Sequence, residues 1–188
     1  MKKLGLLTAA LTASVAVAAY AHTGATGIVK ERMDAMSAMG NAVKEIAPMM
    51  RGEIAYDADA VRSASQSFID HAGSAMTDLF PEGTGGMPSM ATDNIWTDGD
   101  EFAELAQKLG EYGEGLALAS DNPPAMGAAT TTDMMGADTM MGANTDAMMG
   151  AEPAMDAINF ASMPVDAAFE MVSQTCSACH SKYRMESN

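Results

Sequence analysis

The spacing of apolar residues constrains the fold of this 188-residue chain more than any other feature of its sequence. Four segments repeat apolar side chains at intervals of three to five residues, the period of an α-helix with one buried face. They cover 27–50, 57–79, a third stretch that begins after Trp96, and a fourth from about Pro164 to Arg184. No segment alternates apolar and polar residues over the length of a strand. The pattern predicts an all-α fold, an antiparallel four-helix bundle.

Capping residues indicate where these helices begin and end. Gly52 is placed to stop the first helix, and Asp57 is a good N-cap for the second. Thr97 to Glu101 offers capping side chains and early negative charge for the third. Pro164 suits the first turn of the fourth.

A long insertion rich in Met and Gly, residues 120–161, separates the third and fourth helices. Met-Met-Gly-Ala occurs in it at 134–137, 140–143 and 148–151. We interpret 120–161 as a flexible low-complexity insertion, because it is long and shows no regular helical or strand pattern. Its lack of histidine and the varying spacing of its repeats weigh against a metal site. Soft thioethers select Cu(I), so copper binding is the alternative hypothesis.

The N-terminus has the pattern of a signal peptide. Met1-Lys2-Lys3 is basic, Leu4 to Ala19 is mostly apolar, and Ala19-Tyr20-Ala21 has the small-x-small form of a cleavage site. The alternative is a membrane anchor, for which the run is short and dominated by alanine. We expect residues 1–21 to be removed near Ala21, so that the mature chain, 22–188, is periplasmic and free of the membrane.

The net charge limits the kinds of partner. The formal charge of -15 becomes -17 in the mature chain, because Lys2 and Lys3 are lost with no acidic residue. Such a surface argues against nucleic acid, which needs clustered cations. It favours partner proteins with basic docking patches, although solubility alone also explains it.

The motif Cys176-Ser177-Ala178-Cys179-His180 carries the most specific chemistry in the sequence. C-x-x-C-H is the attachment signature of c-type haem: two thiols meet the two vinyl groups, and the imidazole ligates the iron. A thioredoxin-like site would need a βαβ pattern, and a zinc site would need two more ligands. A plain disulfide leaves His180 unexplained. We therefore predict one haem c, attached through Cys176 and Cys179.

The position of this motif on the last of four helices makes the chain resemble the cytochrome c′ family, the class II cytochromes c. The resemblance covers nearly all of the mature chain. Its further matches are Arg32, Met36, Met39, Gly40, Ile95-Trp96, Tyr183 and Arg184.

The resemblance implies a haem between the helices with His180 as axial ligand. In low-spin members a methionine four residues after an arginine of the first helix binds the iron, which is the position of Met36 after Arg32. The resemblance also implies a contact of Arg32 with a haem propionate. Arg184 could act in the same way or simply end its helix, and family members often dimerise through their first two helices.

His/Met ligation predicts an electron carrier rather than an enzyme. A six-coordinate iron exchanges electrons with little rearrangement and does not readily bind a substrate, and this ligand pair raises the reduction potential. Met33 or Met39 could replace Met36 as the ligand. Without a methionine ligand, the alternative is a high-spin, five-coordinate haem that binds nitric oxide or carbon monoxide. A copper-handling protein is a third hypothesis.

Overall fold

The computed structural model of the protein describes residues 24–125 and 158–185. The predicted leader, 1–21, and the three Met-Met-Gly-Ala repeats lie outside the described residues. The described helices are α1 (Gly27–Met50), α2 (Ala58–His71), α3 (Ser74–Thr77), α4 (Asn94–Thr97), α5 (Gly99–Ala119) and α6 (Val165–Tyr183), with a 3₁₀ turn at Phe160–Ser162.

The four long helices form a bundle. Helix α5 packs along both α2 and α6, and α1 packs along α2, whereas α1 and α6 hardly contact each other. No strand occurs in the described ranges, and the predicted all-α four-helix bundle is confirmed. None of the helices within those ranges is long and apolar enough to cross a membrane. The side chains most deeply buried in the core are Ile46, Val61, Phe68, Leu116, Val165 and Val172.

The ends of α1 and the start of α2 agree with the predicted signals. Helix α1 spans the predicted 27–50, and Gly52 after it has a φ of 68°, the left-handed conformation that glycine adopts easily. The Asp57 carboxylate accepts hydrogen bonds from the backbone N–H groups of Asp59 and Ala60, at 2.9 and 3.1 Å. This N-cap fixes where α2 begins.

The predicted second helix, 57–79, is wrong in its extent. Helix α2 ends at His71, Ala72 is extended, and Gly73 has a φ of 56°. The Gly73 N–H donates to the Ala106 carbonyl of α5 at 2.8 Å, which satisfies the group that the helix break releases. The apolar spacing continues through the break because α3 turns Met76 towards the same core.

The third long helix begins after Trp96, within the predicted capping stretch 97–101. Trp96 belongs to the short helix α4, and α5 begins at Gly99. The Trp96 indole N–H donates to the Phe80 carbonyl at 2.8 Å, and its ring lies against Gly85, where a Cβ would be only 2.9 Å from it. Trp96 therefore fixes the Gly- and Pro-rich loop after α3.

Both ends of the predicted insertion are packed against the bundle. The Asn122 side-chain amide donates to the carbonyls of Ala161 and Met163, each at 2.9 Å. The ring of Phe160 is buried against Gly115 of α5. Residues 120–125 and 158–161 thus belong to the end of the bundle, and the segment that lies outside the described residues is 126–157.

Candidate functional site

A cavity of about 290 Å³ lies between α1 and α6, in the place where these two helices separate. Helix α5 and the short helix α3 close its inner side. The residues that line it are Met36, Met39, Gly40, Val43, Lys44, Met76, Leu105, Ala106, Leu109, Thr175, Cys176, Cys179 and His180. Both cysteines and the histidine of the predicted haem motif are among them.

The α6 wall presents the two thiols and the imidazole together. Cys179 and His180 follow Cys176 by three and four residues on one helix, so both lie one turn from it on the same side. Both cysteines are half-buried, and neither is in a disulfide. Burial raises the pKa of the Cys176 thiol, and burial followed by the neighbouring Cys176 raises the pKa of Cys179 to about 11. Before haem attachment the thiols are therefore neutral at physiological pH.

The imidazole of His180 stands at the edge of the cavity. The residue is exposed as a whole, but partial burial of the ring, and then the nearby positive charge of Arg184, lower its pKa. A lower pKa favours the neutral imidazole, which is the form that binds a metal ion.

The α1 wall presents thioethers to the same cavity as this imidazole. Met36 is half-buried and lines the cavity, as does the more deeply buried Met39, whereas Met33 does not line it. Met76 of α3 also lines it, and sequence reasoning missed this residue as a candidate because its spacing matched an ordinary core position.

Two thiols on one helix, an adjoining imidazole and apolar walls are the donor set and surroundings that a covalently bound haem requires. The residues of the cavity fit that group.

Arg32 lies near this cavity without lining it. Its side chain is buried, and its guanidinium donates to the Leu79 carbonyl at 3.3 Å and to the hydroxyl and carbonyl oxygens of Thr84. It also lies 4.7 Å from the ring centre of Phe80. Arg32 therefore holds the loop after α3 against α1, and its predicted contact with a propionate stays a prediction.

The end of α6 that follows the motif is fixed by the segment 90–94. Backbone hydrogen bonds join the Thr92 N–H to the Tyr183 carbonyl at 3.0 Å and the Met185 N–H to the Met90 carbonyl at 2.8 Å. Tyr183 is buried in edge contact with Phe102, with ring centres 5.3 Å apart. Arg184 caps α6 and is exposed. This framework holds His180 in place from its C-terminal side.

The chain is similar to known proteins in both sequence and structure. A family model described as Cytochrome C′ matches residues 27–138. Cytochrome c-556 of Agrobacterium fabrum (strain C58) is 33% identical over 138 residues, which is 72% of this chain and 90% of that protein.

Solved structures share the fold. The cytochrome c′ of Rhodopseudomonas palustris superposes with a TM-score of 0.58 at 22% identity, covering 87% of this chain and 100% of that one. A nitric oxide complex of a variant cytochrome c prime from Alcaligenes xylosoxidans superposes with a TM-score of 0.55 at 23% identity, over 85% of this chain and 94% of that one.

Proposed function

Because this chain belongs to the cytochrome c′ family, we propose that it is an exported one-electron carrier whose haem iron is ligated by His180 and Met36. Haem binding itself does not depend on which residues ligate the iron. The chain is a haem-binding protein of the electron-carrier class, and covalently attached haem c is its cofactor.

The observation that carries the proposal is the meeting of the motif and the methionines in one cavity. Cys176 and Cys179 would hold the haem through thioether bonds, and His180 would be the proximal ligand. Haem c supplies an iron that alternates between the ferric and ferrous states. Apolar side chains from α1 and α5 around it exclude water, so ligands and charges rearrange little when the electron moves.

Met36 is the thioether we assign to the sixth position. It follows Arg32 by one helical turn, and it is less deeply buried than Met39, whose side chain packs in the hydrophobic core. Met76 lies on α3, a short helix outside the four long ones. A sulfur ligand opposite imidazole raises the reduction potential and closes the iron to small ligands.

A five-coordinate haem that binds nitric oxide or carbon monoxide is the second candidate function. The nitric oxide complex of the Alcaligenes xylosoxidans protein has the same fold, which supports keeping it. The two functions differ in one bond, that between the iron and the sulfur of Met36.

The visible spectrum of the purified holoprotein, oxidised and reduced at pH 7, tests the ligand assignment. We expect a low-spin, six-coordinate spectrum and little binding of carbon monoxide by the ferrous protein. The Met36→Leu variant should become high-spin and bind carbon monoxide readily. Met33→Leu, on the same helix but outside the cavity, is the matched control and should keep the wild-type spectrum.

Two results would contradict the assignment. A five-coordinate spectrum for the unaltered protein would favour the gas-binding function. A Met36→Leu variant that stays low-spin would move the ligand to Met39 or Met76, which the corresponding leucine variants would distinguish.

Export and partners complete the proposal. The basic start and apolar run of residues 1–21 support a periplasmic location after cleavage near Ala21. The net charge of -15 supports a protein partner with a basic surface, and the chain would transfer electrons to it without being an enzyme itself.

Copper titration of the holoprotein with and without residues 126–157 tests the copper hypothesis for the Met-rich insertion.

A further inference from the structure

Most exposed cationic side chains of the described residues are paired with carboxylates. The pairs are Lys30 with Asp34, Arg51 with Glu53, Arg62 with Asp59 and Asp121, and Lys182 with Asp98 and Glu101. Within residues 24–125 and 158–185, two exposed cations differ: Arg184 at the end of α6 has no ion pair, and the ammonium group of Lys44 has neither an ion pair nor a hydrogen bond. In a chain of net charge -15, a lysine that has no carboxylate within reach is an exception.

The position of Lys44 on α1 explains why it has no partner. Residues three and four positions away are its neighbours along a helix, and here they are Gly40, Asn41, Ala47 and Pro48, none of which is charged. Lys44 is exposed, yet its side chain lines the cavity that we assign to the haem. Its positive charge therefore lies at the mouth of that cavity.

The α6 side of the mouth has no carboxylate of its own, and Asp98 and Glu101, which approach the end of this helix, are paired with Lys182. From residue 171 to residue 185 the chain contains no Asp or Glu, and this stretch includes the whole motif. The exposed side chains of α6 next to the motif are small and neutral, as at Ser177, Ala178 and Ser181. Arg184, which is exposed and lies four residues after His180, adds a positive charge. The mouth of the cavity is thus a neutral to cationic area on an acidic protein.

We propose that this mouth, between Lys44 of α1 and the carboxylate-free face of α6 at 177–181, is the surface on which the redox partner docks. The partner is a protein that presents a carboxylate to Lys44 beside its own redox group. This inference rests on the proposed electron-carrier function, because electron exchange requires the partner to approach the edge of the bound haem.

The overall acidity of the protein and this local positive charge act at different distances. As the two proteins approach each other, the net charge favours partners whose surface is basic as a whole, and salt screens this attraction with a Debye length of about 8 Å at physiological ionic strength. At contact, the unpaired ammonium of Lys44 selects for a carboxylate. The partner surface that fits both is a basic one with a carboxylate at its centre.

Electron transfer from the reduced holoprotein to small charged oxidants tests this surface. One electron passes from the ferrous protein to hexacyanoferrate(III), which becomes hexacyanoferrate(II), and stopped-flow absorbance follows the reaction. At low salt, Lys44→Gln should lower this second-order rate constant about threefold, as expected for one charge acting on a trivalent anion across about 15 Å of solvent. With the cationic oxidant tris(phenanthroline)cobalt(III), the same substitution should raise the rate constant.

Lys30→Gln is the matched control, because it changes the net charge equally but removes a paired lysine of α1 outside the cavity. We expect little change in either rate constant, and the difference between the variants should disappear in high salt. Equal effects of the two substitutions, or no effect of either, would overturn the docking proposal. If the purified protein instead carried no haem and showed no haem spectrum, the proposed function itself would be wrong, so the two failures are distinguishable.

Discussion

Replacing Arg32 by methionine should destabilise the holoprotein strongly, because this side chain joins α1 to the loop after α3. Its exposed fraction is 3%, and its guanidinium serves the Leu79 carbonyl, the Thr84 hydroxyl and carbonyl, and the face of Phe80. Methionine keeps the length and the helix propensity of the side chain but removes every donor. The partly buried oxygens of the loop would then lose their partner.

The expected loss follows from these contacts. A hydrogen bond from a charged group contributes about 1.5–3 kcal/mol, and a cation–π contact contributes about 0.5–2 kcal/mol. The contacts share one guanidinium and are not additive, and water would reach part of the released loop, so we expect a total of about 3 kcal/mol. For a domain of this size, that corresponds to a fall of about 6–12 °C in the midpoint of thermal unfolding.

Thermal and urea unfolding followed by circular dichroism measure this loss. Arg62→Met is the control, because Arg62 is an exposed arginine whose ion pairs with Asp59 and Asp121 lie at the surface and contribute at most about 1 kcal/mol. If Arg32→Met costs no more than Arg62→Met while it changes the haem spectrum or the reduction potential, the anchoring role is wrong. Arg32 would then act on the cofactor.

Two further substitutions test the packing around the ends of the Met-rich segment. Gly115→Ala would bring a Cβ to 2.6 Å from the ring of Phe160 and should destabilise the protein by about 1–3 kcal/mol relative to Gly110→Ala, whose Cβ would meet its nearest neighbour at 3.4 Å; equal unfolding midpoints would contradict this packing. Tyr56→Phe removes the hydrogen bond to the Ser120 carbonyl and should cost about 1 kcal/mol at pH 7. Burial raises the pKa of Tyr56, so this hydroxyl stabilises the fold below pH 10, and the difference from the phenylalanine variant should shrink as the pH rises further. A difference that grows with pH would refute that sign.

The sequence was sufficient for the helices whose ends carry local signals. Helix α1 matches its predicted limits because Gly52 stops it, and Asp57 caps α2 through hydrogen bonds within three residues. The end of α2 depends instead on a hydrogen bond from Gly73 to Ala106, a residue 33 positions later in the chain. Apolar spacing alone could not reveal that contact, since α3 buries Met76 on the same side.

The site divides in the same way. The haem motif could be read directly, because its thiols and imidazole are neighbours in sequence and share one helix face. The position of Met36 was predicted from the family resemblance, and the structure brings it to the same cavity as the motif. Met76 and Lys44 could not be found, because only the packing of α3 and α1 against the open side of the bundle brings them to this cavity.

The hydrogen bonds of Asn122 have a consequence for the length of the chain between the last two long helices. Its amide reaches residues 161 and 163, so the chain leaves the bundle at 125 and returns at 158 through one small region. When the two ends of a connection are held together in this way, lengthening or shortening it changes the entropy of loop closure only with the logarithm of its length. Val165 lies 15 residues before His180, which is about 22 Å along the helix. The segment 126–157 could therefore be exchanged, even for a whole foreign domain, while the cavity around His180 keeps its shape.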